Sequence, residues 1–339
     1  MKRETFKSFD GAEIGIAIWD EVQNPIGVVQ IVHGMAEHIG RYDDLAKLLN
    51  ANGMICAGGD HRGHGLTAKG VYGKYNGADI AGDTLRDQFG IAAMLKERYN
   101  LPLAVFGHSY GSFLTQAMIL EQKNYSSLNS QPDKSNTAPK QDRGTAVFEA
   151  KRPVDIAGFI LCGSAYMGGP VPLFGRKLAN WKVRRGRADE AGSTFEKLTF
   201  ISYDKKLKEG KSAWISHDKE IVRKYNADPM CAFACSNGFY KSFFALLKET
   251  VDRSLLEGAD KDTKIHIIAG GSDFVGGRGK LVKKLVRNYA KYGFGNVTSK
   301  IYPGFRHELH NEIGKEEVYG DIKEYLGFLF EHSVKISKK

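Results

Sequence analysis

The sequence has no run of about 18 apolar residues, so it offers no helix expected to cross a membrane. Its N-terminus, Met1 to Lys7, is basic but has no apolar stretch behind it, and it does not read as a signal peptide. The expected location is therefore the cytoplasm. Cysteine is scarce, with four residues at 56, 162, 231 and 235 in 339. They are too few and too scattered for a disulfide framework, and reduced thiols are expected. Cys231 and Cys235 have the spacing of one helical turn. No His or Cys pair lies beside them in sequence, so no zinc site is expected there, nor a metal anywhere. The chain also lacks internal repeats and any motif that reads DNA or RNA, so no nucleic-acid partner is expected. Its net charge of +10 is local: residues 165–240 hold 14 Lys/Arg against 8 Asp/Glu.

What is present is alternation. Thr5 to Phe9 and Glu13 to Trp19 read as an antiparallel pair joined through Asp10-Gly11. Gly27 to Val32, Met54 to Gly59 and Leu103 to Phe106 are short continuous apolar runs, as strands buried on both faces would be. Between and after them, Tyr42 to Ala51, Asp83 to Tyr99 and Ser112 to Glu121 have helical spacing. Ile156 to Cys162, Lys264 to Ala269 and Val297 to Tyr302 resume the strand pattern. Phe239 to Leu256, Lys280 to Tyr292 and Glu316 to Phe330 read as helices. This order predicts an α/β fold with a mostly parallel eight-stranded sheet wrapped by helices. Two segments break the pattern. Residues 122–152 are polar and poor in large apolar residues, which reads as a surface insertion. Residues 165–240 are irregular and aromatic, and read as a cap inserted into a core made of 1–164 and 241–339.

Gly107-His108-Ser109-Tyr110-Gly111 is a G-x-S-x-G sequence between a strand and a helix. That setting lifts a serine hydroxyl above the sheet on a strained turn, with a helix N-terminus beneath it. Ser109 is the expected nucleophile, and it needs a base that comes later in the chain. Among the later histidines, His266 lies inside a strand and His332 in a polar tail. His307 follows the strand Val297 to Tyr302 and the turn Pro303-Gly304, which puts it beyond a strand end. It is preferred over His310, its nearest competitor. Asp273, just past the strand Lys264 to Ala269, is the acid expected to orient the imidazole. Asp60, in Asp60-His61-Arg62-Gly63-His64-Gly65, precedes the serine and reads as a loop-shaping carboxylate. The oxyanion donors expected are the backbone N–H groups of Tyr110 and of Met35, in the turn His33-Gly34-Met35.

Taken together, these blocks resemble one family. His33-Gly34-Met35-Ala36-Glu37-His38 with Arg41-Tyr42, the Asp60 to Gly65 block, the serine elbow, Gly271-Ser272-Asp273 and Gly304-Phe305-Arg306-His307-Glu308 are similar, in order, to the monoacylglycerol lipase and lysophospholipase group of α/β-hydrolases, also labelled serine aminopeptidase-like. The resemblance covers nearly the whole core. It implies an α/β-hydrolase fold, a triad of Ser109, Asp273 and His307, an oxyanion hole at Met35 and Tyr110, and no metal or organic cofactor. Two features depart from the pattern: the long 122–152 insertion, and Tyr110 where Met or Gln is common, which would narrow the acyl pocket.

The expected activity is hydrolysis of monoacylglycerols, lysophospholipids or similar small acyl esters. Aminopeptidase and thioesterase chemistry would use the same triad, and a ligand-binding protein on this fold would need no intact triad. An aminopeptidase would also require a cap carboxylate for the substrate amine, from Asp189, Glu190, Glu196 or Asp204. Cap aromatics Phe174, Trp181, Phe195, Phe200, Tyr203, Trp214, Phe233 and Phe239 would suit an acyl chain or form the cap's own core. The cluster Arg176, Lys177, Lys182, Arg184, Arg185 and Arg187 around Trp181 reads either as a solvated helix face or as a contact for an anionic lipid surface or phosphate head group.

Overall fold

A computed structural model describes residues 1–75, 77–123 and 154–336. Eight strands form one sheet: β1 (Lys2–Lys7), β2 (Glu13–Trp19), β3 (Gly27–Val32), β4 (Met54–Gly59), β5 (Leu103–His108), β6 (Gly158–Cys162), β7 (Ile265–Gly270) and β8 (Val297–Tyr302). Their order across the sheet is β1-β2-β4-β3-β5-β6-β7-β8. β1 and β2 pair antiparallel, β2 joins β4 antiparallel, and every later pairing is parallel. The predicted class is confirmed.

The central strands are buried on both faces, and their alternation sorts side chains between two cores. Val28, Val105, Phe159 and Ile267 point to the side covered by α2 (Ile80–Tyr99), α3 (Tyr110–Glu121) and α10 (Lys280–Lys291). Val29, Ile31, Phe106, Ile160 and Ile268 point to the side covered by α1 (Asp43–Ala51) and α11 (Lys315–Ile336). Each parallel crossover carries a helix, so the C-terminal tips of the parallel strands lie at one edge of the sheet.

Between β6 and β7 the chain leaves the sheet and builds α4 (Pro170–Arg184), α5 (Ser193–Leu198), α6 (Phe200–Leu207) and α7 (Lys219–Ala227) before returning through α8 (Asn237–Glu249) and α9 (Arg253–Gly258). A small core of Trp214, Ile215, Tyr225 and Cys231, with Phe200 and Tyr203 against it, holds this segment together.

Several expected boundaries shift. β1 starts at Lys2 and ends at Lys7, because the whole run pairs with β2 and its charged side chains face solvent at the sheet edge. The single helix expected over Phe239 to Leu256 is two: Asp252 accepts from the N–H groups of Ser254 and Leu255 and starts α9 afresh. α3 begins at Tyr110, directly on the serine, two residues before the expected start. Cys231 and Cys235 lie outside any helix, in the loop after α7, and pack into different clusters. Of the polar insertion expected at 122–152, residues 124–152 lie outside the described residues.

Phe106 is fully buried directly below the serine turn. Phe106→Ala is expected to cost about 3 to 5 kcal/mol in a urea unfolding titration. A loss below about 1 kcal/mol would mean that β5 is not packed as described.

Candidate active site

Every candidate residue of the site follows a strand at the same edge of the sheet. His33 to His38 follow β3, Asp60 follows β4, Ser109 follows β5, Asp273 follows β7 and His307 follows β8. The turn at Ser109 is strained: its φ of 53° lies in the left-handed region, which a side-chain-bearing residue rarely adopts. The neighbours explain how the strain is held. A Cβ at Gly107 would lie 2.1 Å from Thr115 Oγ1, and one at Gly111 would lie 2.0 Å from the Val32 carbonyl oxygen. Only glycine lets α3 start so close to β3. The Ser109 N–H donates to the Cys162 carbonyl at 3.0 Å, and its own carbonyl accepts from Ser112 N at 2.8 Å.

The structure brings the three predicted side chains together. Ser109 Oγ and His307 Nε2 are 2.8 Å apart, and His307 Nδ1 lies 3.1 Å from Asp273 Oδ1. The second contact is close but off the axis of an ideal hydrogen bond. Asp273 is buried and accepts from Val275 N at 2.8 Å and Gly276 N at 3.3 Å. Burial alone would lower the pKa of His307, but the carboxylates around it, Asp273 foremost with Glu308 and Glu37 behind it, together raise it above 6.5. The Trp214 ring lies 5.0 Å from the imidazole and covers it from the cap side.

Met35 lines the same cavity as Ser109. Tyr110 is the first residue of α3, where a helix N–H has no partner within the helix. Its side chain does not narrow the acyl pocket as expected. It turns away, among His61, His64, Phe239 and Phe243, and is absent from the cavity wall. His310, the competitor, is buried and stacked on Tyr42. Burial depresses its pKa to about 3. Asp60 shapes loops as expected, accepting from Ile39 N and Leu66 N at 2.9 Å each.

Sequence reasoning missed one group. Arg41 donates from Nη1 to Glu37 Oε2 at 2.6 Å and makes a two-pronged pair with Glu308 at 2.7 Å on each prong. Glu37 also accepts from Gly34 N and from Tyr42 Oη, at 2.5 and 2.8 Å. So one guanidinium joins the loop carrying Met35 to the loop carrying His307. Both carboxylates are buried, which opposes their charge, yet Arg41 holds Glu37 well below the usual carboxylate range and Glu308 below it. The signal was in the quoted blocks, where Glu37, Arg41 and Glu308 stand, but spacing cannot show which charges meet.

A cavity of about 220 Å³ opens above Ser109 and His307. Phe200, Trp214 and Phe233 of the expected aromatics line it. Phe195 and Phe239 instead pack in the core, Tyr203 stacks on Phe274, and Phe174 and Trp181 are exposed. Of the cap acids, Glu196 and Asp204 reach the wall, whereas Asp189 and Glu190 are exposed on the surface. Among the described residues, two groups have metal-binding side chains close together: His108, Cys162 and His310, all buried, and His38, Asp228 and Cys231, of which Asp228 is partly exposed. In the second, both His38 nitrogens already have partners, Gly40 N and Asp228 Oδ2, so it is a hydrogen-bonded tie between cap and core.

The model of the serine aminopeptidase S33 family matches residues 23–128 and 144–314. The chain belongs to this family. It is 26% identical over 332 residues to the monoacylglycerol lipase of Mycolicibacterium smegmatis, covering 95% of both chains. It is 23% identical to the human monoglyceride lipase, covering 90% of this chain and 82% of that one. Its fold is similar to a thermostable carboxyl esterase from Bacillus coagulans solved in complex with glycerol, with a TM-score of 0.79 and 25% identity, covering 97% and 98% of the two chains. The family resemblance read from the sequence is thereby confirmed.

Two outcomes follow from the geometry. Arg41→Met leaves two buried carboxylates without their counter-charge, and should cost about 3 to 5 kcal/mol in thermal or urea unfolding. Activity should rise with pH as His307 loses its proton, with a midpoint above 6.5. In Asp273→Asn the strongest upward pull on the imidazole is lost, so the midpoint should fall, and kcat should drop roughly 10⁴-fold. An unmoved midpoint in that variant would show that Asp273 does not set the charge of His307.

Proposed function

We propose that the protein is a carboxylic ester hydrolase working through an acyl-enzyme on Ser109, with monoacylglycerols, lysophospholipids or similar small acyl esters as substrates. The observation that carries this reading is the 2.8 Å Ser109–His307 contact, backed by Asp273, at the floor of a cavity lined in part by Phe200, Trp214 and Phe233. The mycobacterial and human relatives, named as lipases of monoacylglycerol, support the substrate class.

In this reading Ser109 Oγ attacks the ester carbonyl while His307 Nε2 takes its proton. Asp273 fixes the imidazole tautomer and stabilises its charged form. The oxyanion sits between the N–H groups of Met35 and Tyr110, and losing one such donor typically costs about 3 to 4 kcal/mol of barrier. Collapse breaks the ester C–O bond, and His307 returns the proton to the leaving alcohol. A water deprotonated by His307 then attacks the acyl-enzyme, releases the acid and restores Ser109. Residues 165–240 act as the cap, with Phe200, Trp214 and Phe233 along the acyl path and the sheet carrying the chemistry. Among the described residues no helix is long and apolar enough to cross a membrane.

One observation favours a second reading with the same triad. Glu196 and Asp204 line the cavity, and burial raises the pKa of both. Asp204 Oδ1 is buried with no donor. A substrate amine would supply that donor, as an aminopeptidase requires.

Ser109→Ala should lower ester turnover by roughly 10⁶-fold while leaving the melting temperature unchanged. Retained turnover in a folded variant would overturn the mechanism. A panel of p-nitrophenyl esters, a monoacylglycerol and an aminoacyl-naphthylamide separates the two readings. Ester turnover with a chain-length optimum is expected. Turnover of the amide alone, with KM raised by Asp204→Asn, would establish the second.

A further inference from the structure

The imidazole of His310 is buried, and among the described residues neither of its nitrogens has a hydrogen-bond partner. One nitrogen carries a hydrogen and the other a lone pair, and leaving both bare in a protein interior is costly. Such an orphan calls for a bound species. Two further metal-binding side chains stand beside it. The ligating atoms of His310, His108 and Cys162 all lie within 4.8 Å of one another, and all three residues are buried. A centre between three such atoms is at most about 2.8 Å from each, so bonds of about 2.0 to 2.3 Å to an ion need shifts below about 1 Å. Two imidazole nitrogens and a thiolate suit zinc, cadmium or copper, and not magnesium or calcium.

The sheet sets this cluster in place. His108 ends β5, Cys162 ends β6, and the two are partners in the register. His310 lies in the short helical turn Leu309–Asn311, with its ring stacked on Tyr42 at 4.7 Å and edge-on to His108 at 4.9 Å. The contacts of His108 are both long: Nδ1 lies 3.3 Å from Glu37 Oε1, and Nε2 lies 3.3 Å from the His307 carbonyl oxygen. His108 also lines the catalytic cavity, which gives an ion its way in. Burial, and then the carboxylates of Asp273, Glu308 and Glu37, push the Cys162 thiol well above its usual range. A cation reverses both effects, since it binds the thiolate and meets the negative charge around it. The cluster also shares backbone with the catalytic groups. His108 directly precedes Ser109, the Cys162 carbonyl accepts from Ser109 N at 3.0 Å, and His310 lies three residues past His307. Drawing three side chains onto one ion therefore strains the 2.8 Å Ser109–His307 contact, and a displacement of about 1 Å can cost 10²-fold in rate.

We propose that His108, Cys162 and His310 form an inhibitory site for a zinc-like transition-metal ion, which displaces Ser109 and His307 from behind when it binds. The ion is an inhibitor and not a cofactor. Ligation sends the Cys162 thiol proton to solvent, and no electron moves. Ion binding is read without turnover, so it stands or falls separately from the ester reading; only the inhibition rests on that reading.

The test starts from protein freed of metal by dialysis against a chelator. Cd²⁺ is titrated in while the ultraviolet thiolate-to-cadmium band is followed, and Zn²⁺ binding is measured by calorimetry. One ion per chain is expected, with ester turnover falling about tenfold or more as the site fills and returning when chelator is added. Cys162→Ser should abolish the band. His310→Phe, which keeps a ring against Tyr42, should weaken binding about tenfold or more. Both variants are read on protein that melts cooperatively. Cys231→Ser, which alters the other cluster, should bind and respond like wild type. The proposal is overturned if no band forms, if Cys231→Ser removes it, or if the ion binds without loss of turnover. It is equally overturned if Cys162→Ser and His310→Phe are inhibited like wild type, since the ion would then act on His307 itself.

Discussion

Arg41 lies between the buried carboxylates of Glu37 and Glu308, and the meeting of the loops that carry Met35 and His307 depends on that placement. A lone carboxylate at either position would cost several kcal/mol to bury. The guanidinium removes that cost for both, and in doing so it ties two loops together. Glu37 braces Gly34, next to Met35, and Glu308 follows His307 directly. The spacing of the Met35 loop from the His307 loop is therefore set by a charge pair and not by either loop alone. The cap is tied to the same place. The Tyr225 ring covers the Arg41 guanidinium at 4.8 Å, and Glu308 N donates to the Ile215 carbonyl.

Further cap contacts come from the same loop. Arg306 donates to the Ala213 and Ser216 carbonyls and to Glu209, and Glu312 accepts from His217. These bonds fasten the side of the cap that holds Trp214 over His307. The opposite side, with α4 and its outward apolar residues, packs on α8 through small side chains. The inserted segment is thus hydrogen-bonded to the loop carrying His307 on one side and rests on small residues on the other.

Much of this was legible in the sequence, for a physical reason. A parallel sheet puts every strand tip at one edge, so residues just past strands converge whatever the details of packing. That logic singled out Ser109, Asp273 and His307, whose side chains meet in the structure, over His266, which lies within β7 and bonds Thr298. It could not find the direction of a side chain. Tyr110 was expected in the acyl pocket, yet the start of α3 turns its ring into the core beside Phe239. Nor could it see that Asp252 restarts a helix, or that Glu37 and Glu308 share one arginine, because those facts depend on contacts between distant segments. The cap was the least readable part. Its short helices follow no long period, and in α4 the buried face is the one with small residues and a lysine.

The central claim is that Ser109 is the nucleophile, and a covalent probe tests it most directly. The protein would be treated with a p-nitrophenyl alkylphosphonate, which mimics the tetrahedral intermediate. Release of p-nitrophenol would be followed, and the adduct located by peptide mass mapping. The account predicts one adduct per chain, on Ser109, with loss of ester turnover in step with labelling. An adduct on any other residue, or full turnover by protein whose Ser109 stays unlabelled, would contradict it.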